Sequence, residues 1–333
     1  MSSEPLRRRL RARAVNGFAK LANRLPAFSV RAPLGALARL ASFSKVQTLT
    51  LANLELALGS ETTLAERKRI AAGVRAHSAN LLYEWARLTP GPAQLDWLNQ
   101  NVEIDESVRI LEEQTQLGRG VILVTAHIGN WEMLAIALRA RGFEGTVVGR
   151  KRARDSGSNF LVDLRAAWGL DSLPQDCAAR EPLRVLQSGA ILGLLTDLEV
   201  RRIDGEFLPF FGVDALCMTA PAALARAAQL PLLPVRCIRE KGATSKTPYR
   251  LSFEPPLALN TDLPRDAACT DLTNRLNSVY ERWIRETPEQ WAWHQPRWRT
   301  RPGSRKIQPW ASHKHGSTST GGASSGESSS PNS

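Results

Sequence analysis

Two short apolar runs constrain the fold more than anything else in the chain: Val121-Ile-Leu-Val-Thr125 and Ala190-Ile-Leu-Gly-Leu-Leu-Thr196. Each follows a glycine (Gly120, Gly189) and shows no polar alternation. A run this short and this continuous reads as a strand buried on both faces, as in a parallel sheet covered by helices. Between and around these runs the apolar residues recur with helical spacing. Residues 63–88 place Ile70, Val74, Leu81, Leu82, Trp85 and Leu88 on one side and stop at Pro90. Further helices are predicted over 105–116, 130–141, 157–167, 180–188, 219–228 and 266–286, and further strands over 146–149, 232–238 and 249–253. Strands alternating with helices predict an α/β fold with a mostly parallel sheet flanked by helices.

Charge divides the chain into three parts. Residues 1–50 hold ten Lys/Arg and one acid, Glu4, whereas residues 51–300 are neutral overall, although the whole chain carries +12. Leu6, Leu10, Ala14, Phe18, Leu21 and Leu25 form a single helical stripe that ends at Pro26, with Arg7, Arg8, Arg9, Arg11 and Arg13 mostly off it. Such a basic amphipathic arm, residues 1–45, suits an anionic membrane surface. The alternative is a helix whose stripe packs on the body. With Phe18 as the first helix's one aromatic residue, nucleic acid is a poor partner. No run of about 18 apolar residues is present, so no membrane-spanning helix is expected. Residues 46–302 form the expected catalytic body, and the Ser/Gly-rich stretch 303–333 is expected to be disordered. The four cysteines lie far apart and no His neighbours one at ligand spacing, so neither a metal site nor a disulfide framework is expected.

His127 follows the first apolar run by two residues, in Thr125-Ala-His127-Ile-Gly-Asn-Trp-Glu132. Ligands bind beyond the carboxyl ends of strands in sheets of this type. A histidine there can act as general base toward a hydroxyl nucleophile, and a carboxylate on its other ring nitrogen would fix the tautomer. The H-x-x-x-x-E spacing nominates Glu132 for that part, and the helix start behind Gly129 offers backbone N–H groups to a developing oxyanion. No G-x-S-x-G elbow is present, so a covalent acyl-enzyme is not suggested. The bland alternative is a structural histidine at a strand end.

The stretch from Gly120 to Glu132 closely resembles the signature of the bacterial lipid A biosynthesis acyltransferases, a group that includes phosphatidylinositol mannoside acyltransferases and is akin to glycerol-phosphate acyltransferases. Asn53-Leu-Glu-Leu, Arg165 ahead of Trp168-Gly169, Gly193-Leu-Leu-Thr-Asp197, Leu208-Pro-Phe-Phe-Gly212, Trp293-His294 and Arg297–Pro302 follow in that family's order. Leu198 stands where the family usually has Gln, and Gln295-Pro296 separates His294 from Arg297. The resemblance implies a glycerol-phosphate-acyltransferase-like fold and an O-acyltransferase without a bound cofactor. The acyl donor would be acyl-carrier protein or acyl-coenzyme A, and the acceptor a membrane glycolipid, first a lipid A precursor. Its catalytic residues would be His127 and Glu132, with Asn130, Arg150, Arg165 and Asp197 binding substrate. It would work on the cytoplasmic face of the inner membrane. Acylation of a lysophospholipid or a phosphatidylinositol mannoside is the second reading, and a catalytically silent membrane-surface binding protein the third.

Overall fold

A computed structural model of the chain describes residues 17, 25, 27–40, 45–88, 91–149, 156–199, 205–240 and 248–303. Three helices come first: α1 (Ala27–Leu40), α2 (Lys45–Leu58) and α3 (Leu64–Arg87). Then follow α4 (Pro92–Asn101), β1 (Val102–Ile104), α5 (Val108–Gln116), β2 (Val121–Thr125), α6 (Trp131–Ala140) and β3 (Gly145–Gly149). The chain continues through α7 (Ser156–Ala167), β4 (Asp171–Pro174), α8 (Arg180–Gln187) and β5 (Ile191–Leu195). A hairpin of β6 (Gly205–Phe210) and β7 (Val213–Met218) precedes α9 (Ala220–Ala228), β8 (Leu232–Arg239), β9 (Tyr249–Phe253) and α10 (Arg265–Glu286). A 3-10 turn, Pro288–Gln290, then opens a closing segment that runs to residue 303.

The main sheet has the order β1-β9-β8-β2-β5-β3-β4. β2 lies at its centre, parallel to both β5 and β8, and β3 is parallel to β5 and β4. The expected α/β architecture is therefore present, with β8 and β9 as its one antiparallel pair. All five residues of β2 are buried. Ile122 and Val124 join Leu192, Leu194, Leu54, Val74 and Leu276 in one core, and Val121 and Leu123 join Ile191, Val235, Met133 and Ile136 in the other. Burial on both faces explains the unbroken apolar run, since each fully buried aliphatic side chain contributes about 1.5–3 kcal/mol. The β6–β7 hairpin was not expected: it pairs only with itself, and Pro209 inside β6 argues against a strand.

Within residues 1–45, α1 packs on the body. Val30 of α1 is buried against Tyr83 and Ala86 of α3. Apart from Gly17 and Leu25, the Leu6–Leu25 stripe lies outside the described residues, as do residues 304–333. No helix among the described residues is long and apolar enough to cross a membrane.

Candidate active site

Two neighbouring strands deliver the central pair of side chains. Thr125 at the end of β2 is in register with Leu195 at the end of β5, and the Thr196 N–H donates to the Thr125 carbonyl at 3.2 Å. His127 and Asp197, each two residues further on, thereby arrive side by side. His127 Nδ1 lies 2.8 Å from Asp197 Oδ1. The second oxygen, Oδ2, accepts the His127 backbone N–H at 2.9 Å and the Trp291 indole N–H at 2.7 Å. Complete burial pushes the Asp197 carboxyl up, but the facing His127 ring and these donors outweigh it and hold it below its ordinary value. An ionised carboxylate only accepts, so Nδ1 carries a proton, and the neutral tautomer of the ring is the one that leaves Nε2 with its lone pair. The His127 side chain keeps 28% of its surface exposed, and Trp131 packs edge-on to its ring at 5.1 Å between centroids.

The turn that carries His127 is fastened on every side. The Gly129 N–H donates to the Gln290 carbonyl (3.1 Å), the Asn130 N–H to the Cys237 carbonyl (2.8 Å), and the Ala292 N–H to the His127 carbonyl (3.0 Å). His77 Nε2, on α3, donates to the Gly129 carbonyl at 3.0 Å. Gly129 has a φ of +59°, and a Cβ there would lie 2.0 Å from the Cys237 carbonyl oxygen, so no other residue fits. The expectation that this turn supplies free N–H groups to an oxyanion is corrected for His127, Gly129, Asn130 and Met133. All four are already donated inside the fold.

The other nominated residues divide sharply. Glu132 does not hold His127: both its oxygens are taken by Arg165, at 2.8 Å from Nε and 2.5 Å from Nη2, in a buried bidentate pair joining α6 to α7. The carboxylate partner of His127 is Asp197, which had been assigned to substrate. Arg165 is likewise committed to Glu132 rather than open to a ligand. Asn130 is fully buried and caps α6 by accepting the Met133 N–H at 3.1 Å. It also accepts the Trp85 indole N–H (3.0 Å) and donates to Glu84 Oε2 (3.0 Å), so its amide is framework and not a substrate contact. Glu84 in turn receives the Tyr249 hydroxyl at 2.6 Å and an ion pair from Arg239. Arg150 lies outside the described residues. Sequence reasoning did not single out Trp291, His77, Glu84 or Gln290, because none shows its link to His127 through spacing.

An apolar slot lies between α6 and the sheet, enclosing about 520 Å³ of empty space, solvent at its mouth included; neither His127 nor Asp197 lines it. Thr125 and Trp131 line it near His127, and Leu138, Phe143, Gly145, Leu170 and Ile191 line it toward the opposite ends of the strands. The Thr125 hydroxyl is buried and has no hydrogen-bond partner. Among the described residues no cluster of three or more His, Cys, Asp or Glu side chains could hold a metal ion.

Over 192 residues the chain is 27% identical to the phosphatidylinositol mannoside acyltransferase of Mycobacterium tuberculosis, covering 56% of this chain and 57% of that protein. Over 205 residues it is 28% identical to the lipid A biosynthesis lauroyltransferase of Escherichia coli, covering 59% and 61%. The matched region thus spans little more than half the length of these curated relatives. Among solved structures, the 1-acyl-sn-glycerophosphate acyltransferase of Thermotoga maritima covers 85% of this chain and 99% of its own at 15% identity, with a TM-score of 0.35. The family described as bacterial lipid A biosynthesis acyltransferase matches residues 4–300, nearly the whole chain. The protein carrying the Asp197–His127 pair is therefore a member of the bacterial lipid A biosynthesis acyltransferase family.

Proposed function

We propose that the protein is an O-acyltransferase that moves a fatty acyl chain from an acyl thioester to a hydroxyl of a membrane glycolipid. The observation that carries this reading is the Asp197–His127 pair, in which a buried carboxylate holds a partly exposed imidazole. His127 Nε2 takes the proton of the acceptor hydroxyl as its oxygen attacks the thioester carbonyl carbon. Asp197 stabilises the imidazolium that forms. The C–S bond then breaks, and the thiol leaves with the proton that His127 returns. The acyl chain lies in the slot, where Leu138, Phe143 and Leu170 offer hydrocarbon and little competing polarity. A thioester is already activated, so positioning and one general base suffice without a resident cofactor.

The donor is acyl-carrier protein or acyl-coenzyme A, and the acceptor a lipid A precursor at the cytoplasmic face of the inner membrane. Similarity to mannoside acyltransferases at 27% identity favours a mannosylated phosphatidylinositol as second reading. The test is transfer of radiolabelled acyl groups from either thioester to each acceptor. His127→Ala is expected to lower turnover about 10²–10⁴-fold, the usual value of a general base. Wild-type turnover by His127→Ala would overturn the mechanism, and no transfer by the intact protein to either acceptor would overturn the function.

A further inference from the structure

The fully buried Asp197 carboxylate has donors on both oxygens, and one comes from a part of the chain nearly a hundred residues away. Trp291 is 1% exposed and begins the closing segment. Its backbone forms an antiparallel bridge with Ile128, inside the turn that carries His127. Its indole N–H reaches Asp197 Oδ2 at 2.7 Å, while Oδ1 is left to the His127 ring. We propose that Trp291 is a positioning residue for catalysis, acting through Asp197: its indole N–H fixes the carboxylate so that Oδ1 stays on His127 Nδ1.

The surroundings hold Trp291 in this pose from several elements. Its ring meets Trp293 at 4.6 Å, Phe210 of β6 at 6.0 Å and Trp298 at 6.4 Å between centroids. Asn53 of α2 donates to the carbonyls of Trp293 (2.9 Å) and Gln295 (3.0 Å), so the closing segment is tied down just beyond Trp291. A carboxylate that loses one of three donors in a buried site is less stabilised as the anion and freer to rotate about its Cβ–Cγ bond. Both changes weaken its hold on the imidazole tautomer that leaves Nε2 unprotonated. Substrate binding is untouched, because the indole N–H faces the carboxylate and not the slot.

This inference rests on His127 being the general base, and its test separates the two. Trp291→Phe removes the donor and keeps an aromatic ring. It is expected to lower kcat roughly ten- to a hundred-fold with KM for the acyl thioester unchanged, the size of a lost hydrogen bond to a charged supporting group. In an Asp197→Asn background, where the carboxylate is gone, the same substitution is expected to cost less than three-fold. If Trp291→Phe fails to fold, 3-benzothienylalanine at position 291 replaces the N–H by sulfur in a ring of the same shape and is expected to give the same loss. A wild-type kcat, or an equal loss in both backgrounds, would overturn the positioning role while leaving the His127 mechanism standing. Full turnover by His127→Ala would overturn both.

Discussion

Removing the Glu132 carboxylate would strand the Arg165 guanidinium, which is 7% exposed and has its bidentate partner there. Breaking one side of a buried pair costs about 3–5 kcal/mol, because the remaining charge has lost both its partner and its water. Glu132→Ala is therefore expected to lower the thermal midpoint by roughly 4–8 °C, before any effect on the reacting atoms is considered. Asp197→Asn keeps the shape at the other carboxylate and is expected to lose about 10²–10⁴-fold in kcat through the wrong imidazole tautomer. Melting curves and initial rates measured together check both. An inactive Glu132→Ala protein with a wild-type midpoint would return Glu132 to the reacting centre. His127 itself was legible in the sequence, because a histidine just beyond a buried strand has few places to go. Its partner was not. H-x-x-x-x-E puts a carboxylate near in sequence, but α6 starts at Trp131 and turns Glu132 toward Arg165 of α7. The true contact depends on β5 lying beside β2, a pairing that the sequence does not state.

Elements, rather than single contacts, hold the His127 turn: α3 supports it from one side and the closing segment from another. His77 on α3 is the support whose charge state depends on pH. Burial pushes its imidazole down to about 4, the Gly129 carbonyl opposes this, and Arg239 and His294 add to it. A histidine kept neutral in the folded protein destabilises as pH falls, because the unfolded chain takes up the proton first. The loss runs from the ordinary histidine value of 6.5 down to about 4, and amounts to about 3 kcal/mol. The depressed Asp197 carboxyl acts in a lower window: its stabilisation is complete above the ordinary carboxylate value and is lost as pH falls below it. His77→Gln is expected to flatten the fall in thermal midpoint between pH 6.5 and 4 while leaving the steeper fall below it. Identical pH–midpoint curves for the two proteins would remove His77 from this account. The strands β2, β5, β8 and β9 and helices α3 and α10 could be read from apolar periodicity because each buries a continuous face. The β6–β7 hairpin could not, since Phe211 and Gly212 both adopt positive φ at its turn and Phe211 is held there by contacts rather than by propensity. Glu281 of α10 accepts the Phe211 N–H at 2.7 Å, and Arg285 stands over its ring.

The whole molecule is electrically lopsided: a neutral body carries its excess positive charge at its ends, and the family match begins at residue 4, within the basic stretch. Because Val30 packs on Tyr83 and Ala86, we propose that the docking arm is the stretch up to Pro26, where the stripe ends in the sequence. Residues 1–26 carry seven Lys/Arg and one acid. Near an anionic bilayer each basic side chain contributes about 1 kcal/mol, an attraction screened within about 8–10 Å at physiological salt. An apolar stripe inserted in the bilayer would bury hydrocarbon, a contribution that salt does not screen. Deletion of residues 1–26 is thus expected to leave the fold and the turnover of detergent-dispersed acceptor intact and to weaken flotation with anionic vesicles. Deletion of residues 1–45 is expected also to lower the thermal midpoint, because it uncovers the α3 surface beneath Val30. Intact protein should float with anionic vesicles at low salt, in part at high salt, and least with neutral vesicles. Equal flotation of the intact and 26-residue-deleted proteins on both vesicle types would refute a docking role for the basic stretch, and would leave the acyltransferase reading to find its membrane through another surface.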